Sequence, residues 1–519
     1  MSKRNKKKTI IQPDPIRRDD RCLAILFIIL IGVVTFLIRV RMINYTSPRI
    51  VGPILDTGWH TDLFSYHKLI MVIVVAAIAM IILSHKILVE RYTIRASYLN
   101  LPLLLLVVLV LLSTLTADHK SITLMGLYNQ GTGSLLLLAN LALCLAAANT
   151  VFKPWFSRGI TAALLGITAV NALILFTYFG GIDILEFQFM KNLIAPPELQ
   201  KYLAGDFRTT LANTNYISGW GAAVCAYFTA GLLLKNGWRQ RCFYMLAAVV
   251  AFAIILAALS SSGFVTLLII TPLLVAAAFL SRERRQALLA GGITLLLCAG
   301  VFMGMNAYDP RVADETLGIM KQGVETSCEQ LPEQIPSLAN LLPAKPLTAC
   351  AATATIPPED SFDLPEPGWA AGTGRAYIWG ETWRLIQDRP LLGYGQGTLA
   401  YYFPQNDVNM IAAMNNYNTL VTKPHNMYVD IAYGSGVPAL LALLVLFSLH
   451  FYHTGRRLWK AERSEALFFP TALFLFFCAC VVQWLFNDLI IDVGAIFWIL
   501  LGVGISLNTV HEPQKASDQ

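Results

Sequence analysis

The chain is poor in charge. Asp, Glu, Lys and Arg make up 14% of its 519 residues, against about 25% in an ordinary soluble domain. It also lacks any long polar block able to fold alone, apart from part of residues 306–434. These shortages exclude a soluble multidomain enzyme. No small-residue cleavage site follows the first apolar run, so that run is expected to stay as a helix. No internal repeat is evident. No second His or Cys lies near His425 at metal-ligand spacing, so no metal is expected there. The run Gly393-Tyr-Gly-Gln-Gly-Thr398 lacks the Lys-Ser/Thr ending of a nucleotide P-loop, and no cofactor is expected. The net charge of +7 does not point to nucleic acid, because the basic residues fall in short clusters between apolar runs.

What remains is apolar helix. With 56% hydrophobic residues and a mean hydropathy of +0.57, the composition is that of an all-α polytopic membrane protein. A crossing needs about 20 apolar residues. About twelve candidates satisfy this: 22–40, 68–84, 99–116, 134–151, 160–180, 215–234, 242–259, 264–280, 287–305, 435–453, 466–486 and 489–507. With the N-terminus inside, the inner segments hold 24 Lys and Arg and the short outer segments hold 8. That bias puts both termini in the cytoplasm and the long 306–434 segment outside. The expected organisation is a basic tail (1–21), nine crossings (22–305), one large external loop (306–434), three crossings (435–507) and a short cytoplasmic tail (508–519).

The external loop divides in two. Residues 306–369 carry ten acids against three bases, with eight prolines between Pro332 and Pro367, and read as irregular. Residues 370–434 hold four acids and four bases and carry helix signals. Thr373 can cap a helix that runs to Asp388, ahead of Pro390. Trp379, Trp383 and Ile386 fall on one face of it, which reads as a helix near the outer interface. Of nine cysteines, only Cys328 and Cys350 lie in the external loop. There a disulfide is permitted, and it would close a loop of about 22 residues.

Polar chemistry concentrates in the stretch Gly374–Val437. It gathers Arg375, Arg384, Arg389, Lys423 and His425: cations that can hold a phosphate and an imidazole that can move a proton. A second stretch, GDFRTTLANTNYISGW (205–220), places Arg208 ahead of Asn213 and Asn215 at a helix entrance, where a guanidinium can fork onto an anion. Each has a plainer alternative: Arg208 as an interfacial anchor, the other arginines paired with Glu381 or Asp388, and His425 as a packed or solvated residue. Asp488 and Asp492, one helical turn apart, are expected to pair with an external arginine rather than to catalyse.

The blocks GRAYIWGETWRLIQDRPLLGYGQGT and PHN (424–426), with the Arg-plus-Asn stretch at 208–215 and a large external loop before the last three crossings, resemble the O-antigen ligase and O-antigen polymerase superfamily of bacterial membrane glycosyltransferases. LMGLYNQGTG (124–133) adds to the likeness. The resemblance implies a GT-C-like, metal-independent enzyme of the bacterial plasma membrane. It would move a glycan from an undecaprenyl diphosphate carrier to a hydroxyl of a glycan, lipid or protein acceptor at the outer face. Arg208 and one of Arg375 or Arg389 would hold the diphosphate, supported by Asn213, Asn215, Lys423 and Asn426. His425 would orient or deprotonate the acceptor hydroxyl. The chain departs from many members at Ser260-Ser-Ser-Gly263, where they carry a Ser-Arg-Gly turn. The alternatives are a polymerase of the same superfamily and a lipid-linked glycan transporter. A transporter is expected to keep ionisable residues deep in its crossings, whereas here the charges lie at the ends of the apolar runs.

Overall fold

The computed structural model describes residues 17–44, 59–203, 209–317, 374–414 and 420–509. Arg208, Thr373, Cys328 and Cys350 fall outside the described residues, as does most of the acidic, Pro-rich half of the external loop.

Each of the twelve expected apolar runs carries a helix. In chain order the described α-helices are α1 Arg18–Val34, α2 Tyr66–Leu88, α3 Asn100–Thr116, α4 Lys120–Met125, α5 Ser134–Ala148, α6 Pro154–Phe179, α7 Gln188–Ile194, α8 Thr214–Leu234, α9 Trp238–Ala257, α10 Ser261–Ala278, α11 Arg284–Tyr308, α12 Arg375–Asp388, α13 Leu399–Tyr402, α14 Val408–Met414, α15 Met427–Ser435, α16 Val437–Lys460, α17 Phe468–Gln483 and α18 Ile491–Thr509. Nine of the described helical segments are long and apolar enough to cross a membrane. The other three expected crossings fall on shorter helices: α1 and α3 with 17 residues and α5 with 15. α3 fills its expected run, whereas local chemistry limits the other two. α1 spends its first turn on Arg18, Asp19, Asp20 and Arg21, and α5 stops at Asn149.

Two short strands, Arg41–Asn44 and Trp59–Asp62, pair antiparallel with Arg41 opposite Asp62. Four-residue strands are too short to show a clear period of two, and the sequence reading misses them.

The bundle has a centre and a rim. The apolar windows of α8 and α18 are 94% buried, whereas that of α11 is only 11% buried. α8 packs against α9, α10 and α17, and α18 packs against α5. Small residues allow this closeness: a side chain at Gly502 of α18 would lie 2.4 Å from the Cys144 carbonyl of α5.

Polar contacts sort the loops into two ends. At the end holding both described termini, Lys86 pairs with Asp20, Arg17 with Glu90, Arg241 with Glu283, and Arg457 bonds Asn508. At the opposite end, Lys68 pairs with Asp492, Arg389 with Asp118 and His425 with Asp488, while Gln130 bonds Thr422. Every one of these contacts joins segments that the charge pattern assigns to the same side.

Candidate active site

The site is built where α12, the Lys423-Pro-His-Asn426 turn and the link between α17 and α18 meet. α12 starts after Gly374, which sits at φ +80°, a conformation glycine adopts without strain. The helix ends at Asp388, since Pro390 cannot continue it. Its buried residues are Tyr377, Ile378, Thr382 and Ile386. Trp383 is exposed, and the Trp379 indole N–H donates to the Pro424 carbonyl at 2.6 Å, tying α12 to the turn.

Two anchors fix the turn itself. The Asn426 side chain caps α15 by accepting from the Tyr428 and Val429 amides at 3.0 and 3.2 Å. The Met427 amide donates to the carbonyls of Trp484 and Asn487, which docks the turn on the residues after α17. Between these anchors His425 adopts φ +52°, a left-handed conformation costing roughly 1–2 kcal/mol for a residue with a Cβ. The strain presents the ring to Asp488: Nδ1 lies 2.9 Å from Oδ2. The His425 side chain is 46% exposed and that of Asp488 only 1%.

This pairing corrects one sequence expectation. Asp488 takes His425 as its hydrogen-bonded partner, and Asp492 takes Lys68 at 2.7 Å; neither forms a salt bridge with an arginine among the described residues. Burial alone would raise the Asp488 carboxyl. The hydrogen bond and charge of His425, with Lys423 and Arg375 nearby, instead hold it below the ordinary carboxylate value. Asp430, one turn into α15, has the opposite balance. Burial, opposed by Lys423 and reinforced by Asp488, pushes its carboxyl up to about 7. Arg375 also feels burial, which lowers its pKa, while Asp488 and Tyr216 favour its charge. Arg375, Lys423, His425, Asp430, Asp488 and Tyr216 thus form one electrostatic cluster.

The other sequence candidates fall around it. Arg389 lies at the far end of α12, roughly 20 Å from Arg375 at 1.5 Å per residue. It pairs with Asp118 at 3.0 Å and covers the Tyr394 ring at 4.5 Å. Asn213 caps α8 by accepting from the Asn215 amide. Asn215 accepts from the Ser260 hydroxyl at 2.6 Å. The Ser260–Gly263 turn, which holds no arginine, joins a buried network in which Ser262 accepts from Gln483 and Ser218 accepts from the Gly263 amide. The glycine run holds backbone against backbone: Tyr394 and Gly395 amides donate to Tyr433 and Gly434 carbonyls at 3.0 and 2.9 Å. A side chain on Gly395 (φ +98°) would meet Thr123 at 2.3 Å. A side chain on Gly397 (φ +75°) would lie 3.2 Å from Gly126 and 3.5 Å from the Leu127 amide, so this loop also packs on the start of the stretch 124–133.

Beside the cluster lies a cavity of about 110 Å³, bounded by Lys68, Gln130, Tyr216, Lys423 and Asp492 among others. A larger cleft of about 560 Å³ sits at the opposite end, against Phe279, Arg284, Trp459 and Arg463, away from these groups.

A histidine with one nitrogen held by a buried carboxylate keeps the other for a proton, and a nearby guanidinium supplies fixed positive charge. Helices and site together define a multi-pass helical membrane protein with a cluster of interacting ionisable groups at one end of the bundle. Residues 246–444 match the family model described as O-Antigen ligase, which supports the likeness to the O-antigen ligase superfamily. The matched region holds Arg375, Arg389, Lys423, His425 and Asn426. Asn213, Asn215 and Asp488 lie outside it. No curated protein matches the chain.

Proposed function

We propose that the protein transfers a glycan from an undecaprenyl diphosphate carrier to an acceptor hydroxyl at the outer face of the bacterial plasma membrane, with both termini cytoplasmic, twelve crossings and a GT-C-like arrangement. The observation that carries this reading is the His425–Asp488 pair beside Arg375. Asp488 accepts from Nδ1–H of His425 and so fixes the tautomer in which Nε2 is unprotonated. Nε2 then takes the proton of the acceptor hydroxyl as its oxygen attacks the anomeric carbon. The bond from that carbon to the diphosphate oxygen breaks, and the diphosphate leaves on its lipid. Arg375, with Arg208, stabilises the charge growing on the leaving group, a role that fixed guanidinium charges serve without a divalent cation. Asn213 and Asn426 act through the helix ends they cap, Asn215 through its bond to Ser260, and Lys423 through its charge near Asp488. A polymerase would use the same chemistry with a growing glycan as acceptor.

The test is direct. Purified protein in liposomes, given lipid-linked oligosaccharide and a hydroxyl acceptor, is expected to release undecaprenyl diphosphate in step with glycosylated acceptor. Release without an acceptor product, or neither, contradicts the reading.

A further inference from the structure

The cavity beside the His425–Asp488 pair holds polar groups that the fold leaves uncommitted. Its wall draws on the start of α2, the loop before α5, the entrance to α8, the Lys423 turn and the start of α18. Its volume of about 110 Å³ is well above the ~10–15 Å³ that one water needs. Two of its charges cancel: Lys68 and Asp492 are both 3% exposed and 2.7 Å apart, and Lys68 also donates to the Thr210 carbonyl at 2.9 Å.

Two groups are left over. The Gln130 amide donates from Nε2 to Thr422 at 2.6 Å, while its Oε1 is buried with no hydrogen-bond partner. Lys423 is 5% exposed and makes no hydrogen bond or ion pair among the described residues; its charge is balanced at longer range by Asp430 and Asp488. A buried acceptor without a donor is unfavourable, because it has lost water and gained nothing in return. A fully ionised phosphodiester or diphosphate oxygen could satisfy Lys423 but has no proton for Gln130 Oε1. A hydroxyl can do both, accepting from the ammonium and donating to the amide oxygen. Phe64 supplies an apolar wall of the kind that suits the C–H face of a sugar ring.

We propose that this cavity is a sugar subsite, in which Gln130 and Lys423 read the hydroxyls of one uncharged pyranose of the glycan substrate. This rests on the transferase reading of the adjacent His425–Asp488 pair and adds the class of group bound next to it. Neither residue touches the reacting atoms, so both set position and specificity.

The experiment reads binding without turnover. Full-length protein in nanodiscs is titrated by saturation-transfer NMR with a panel of methyl pyranosides, their single-deoxy analogues and inorganic phosphate. At least one pyranoside is expected to bind. Gln130→Leu should weaken it at least tenfold, and one deoxy analogue should lose a similar factor. Gln130→Glu, which keeps an acceptor oxygen, should stay within threefold, showing that the leucine effect is not misfolding. No pyranoside binding, binding indifferent to Gln130→Leu, or phosphate binding that depends on Lys423 each overturns the subsite. The two readings fail separately. An enzyme that transfers glycan but binds no pyranoside here loses only the subsite, and one that binds the sugar but never transfers loses only the transferase.

Discussion

The two ends of the bundle use buried charge differently. At the end holding the termini, charges close on one another. Lys86, fully buried, pairs with Asp20 at 2.7 Å, donates to the Asn149 carbonyl at 2.6 Å and sits 3.9 Å above the Tyr92 ring. At the opposite end Lys68 and Asp492 are closed in the same way, but the groups beside them are not. Lys423 and Asp430 make no side-chain hydrogen bond among the described residues, Asp488 has one oxygen without a partner, and His425 holds a left-handed backbone. The first pattern is what a fold needs to bury charge. The second leaves donors, acceptors and strain where a ligand would meet them. Buried charge alone therefore does not mark the site, and neither does one unpaired atom, since Arg241 Nη1 at the termini end also lacks a partner; the gathering of incompletely paired groups around a strained histidine does.

Substitutions can break that contrast. Asp488→Asn keeps the shape but offers Nδ1 a poorer partner and leaves the tautomer unfixed, and we expect transfer to fall by about 10²–10⁴-fold, as when a carboxylate that orients a histidine is neutralised. Loss of less than threefold in kcat would show that Asp488 only packs. Arg375→Lys should cost roughly 10²-fold, because an ammonium cannot fork onto two oxygens. Arg389→Lys should stay within about threefold, since Arg389 is engaged with Asp118 on an exposed surface; equal losses in the two variants would remove the distinction between them.

The termini end should respond in stability rather than activity. Lys86→Met strands Asp20 in a buried position and should cost about 3–5 kcal/mol, seen as a lower thermal transition in detergent with little change in kcat for the folded fraction. A kcat loss as large as that of Arg375→Lys would mean that the ends are not separate.

The smallest expected effect is a pH dependence. Asp430 titrates at about 7 in the folded protein against an ordinary 3.8. The folded state thus binds this proton more tightly than the unfolded one. Its contribution is most favourable below pH 4, declines through the window from about 4 to 7, and is flat above. Asp430→Asn should therefore gain thermal stability relative to wild type as pH rises from 5 to 8. A constant difference would show that Asp430 is not protonated in the fold. Asp488 runs the other way: its depressed pKa stabilises the fold above the ordinary carboxylate range and loses that contribution under acid.

Much of the scaffold was legible because apolar runs of about 20 residues have few alternatives to a helix. The loops meet in the two groups that the Lys and Arg pattern assigns to opposite sides. His425 and the arginine block stood out because charge is scarce in this chain. What was missed depends on distance in sequence. Asp488 lies 63 residues from His425 and resembles a capping acid at the start of the last helix; only the docking of the Met427 amide on Trp484 and Asn487 brings the two together. Arg375 and Arg389 look equivalent in sequence, and separate only because one helix carries them to opposite ends. Gln130 stood only as one residue of the 124–133 stretch, since its unpaired oxygen follows from a bond to Thr422 across the fold.

The central claim is that His425 Nε2 is the base of the transfer. The measurement is product formation by His425→Ala in liposomes with lipid-linked donor and acceptor, alongside retention of the donor on the protein. The account predicts no acceptor product above background with donor still bound. Product at the wild-type rate would contradict it.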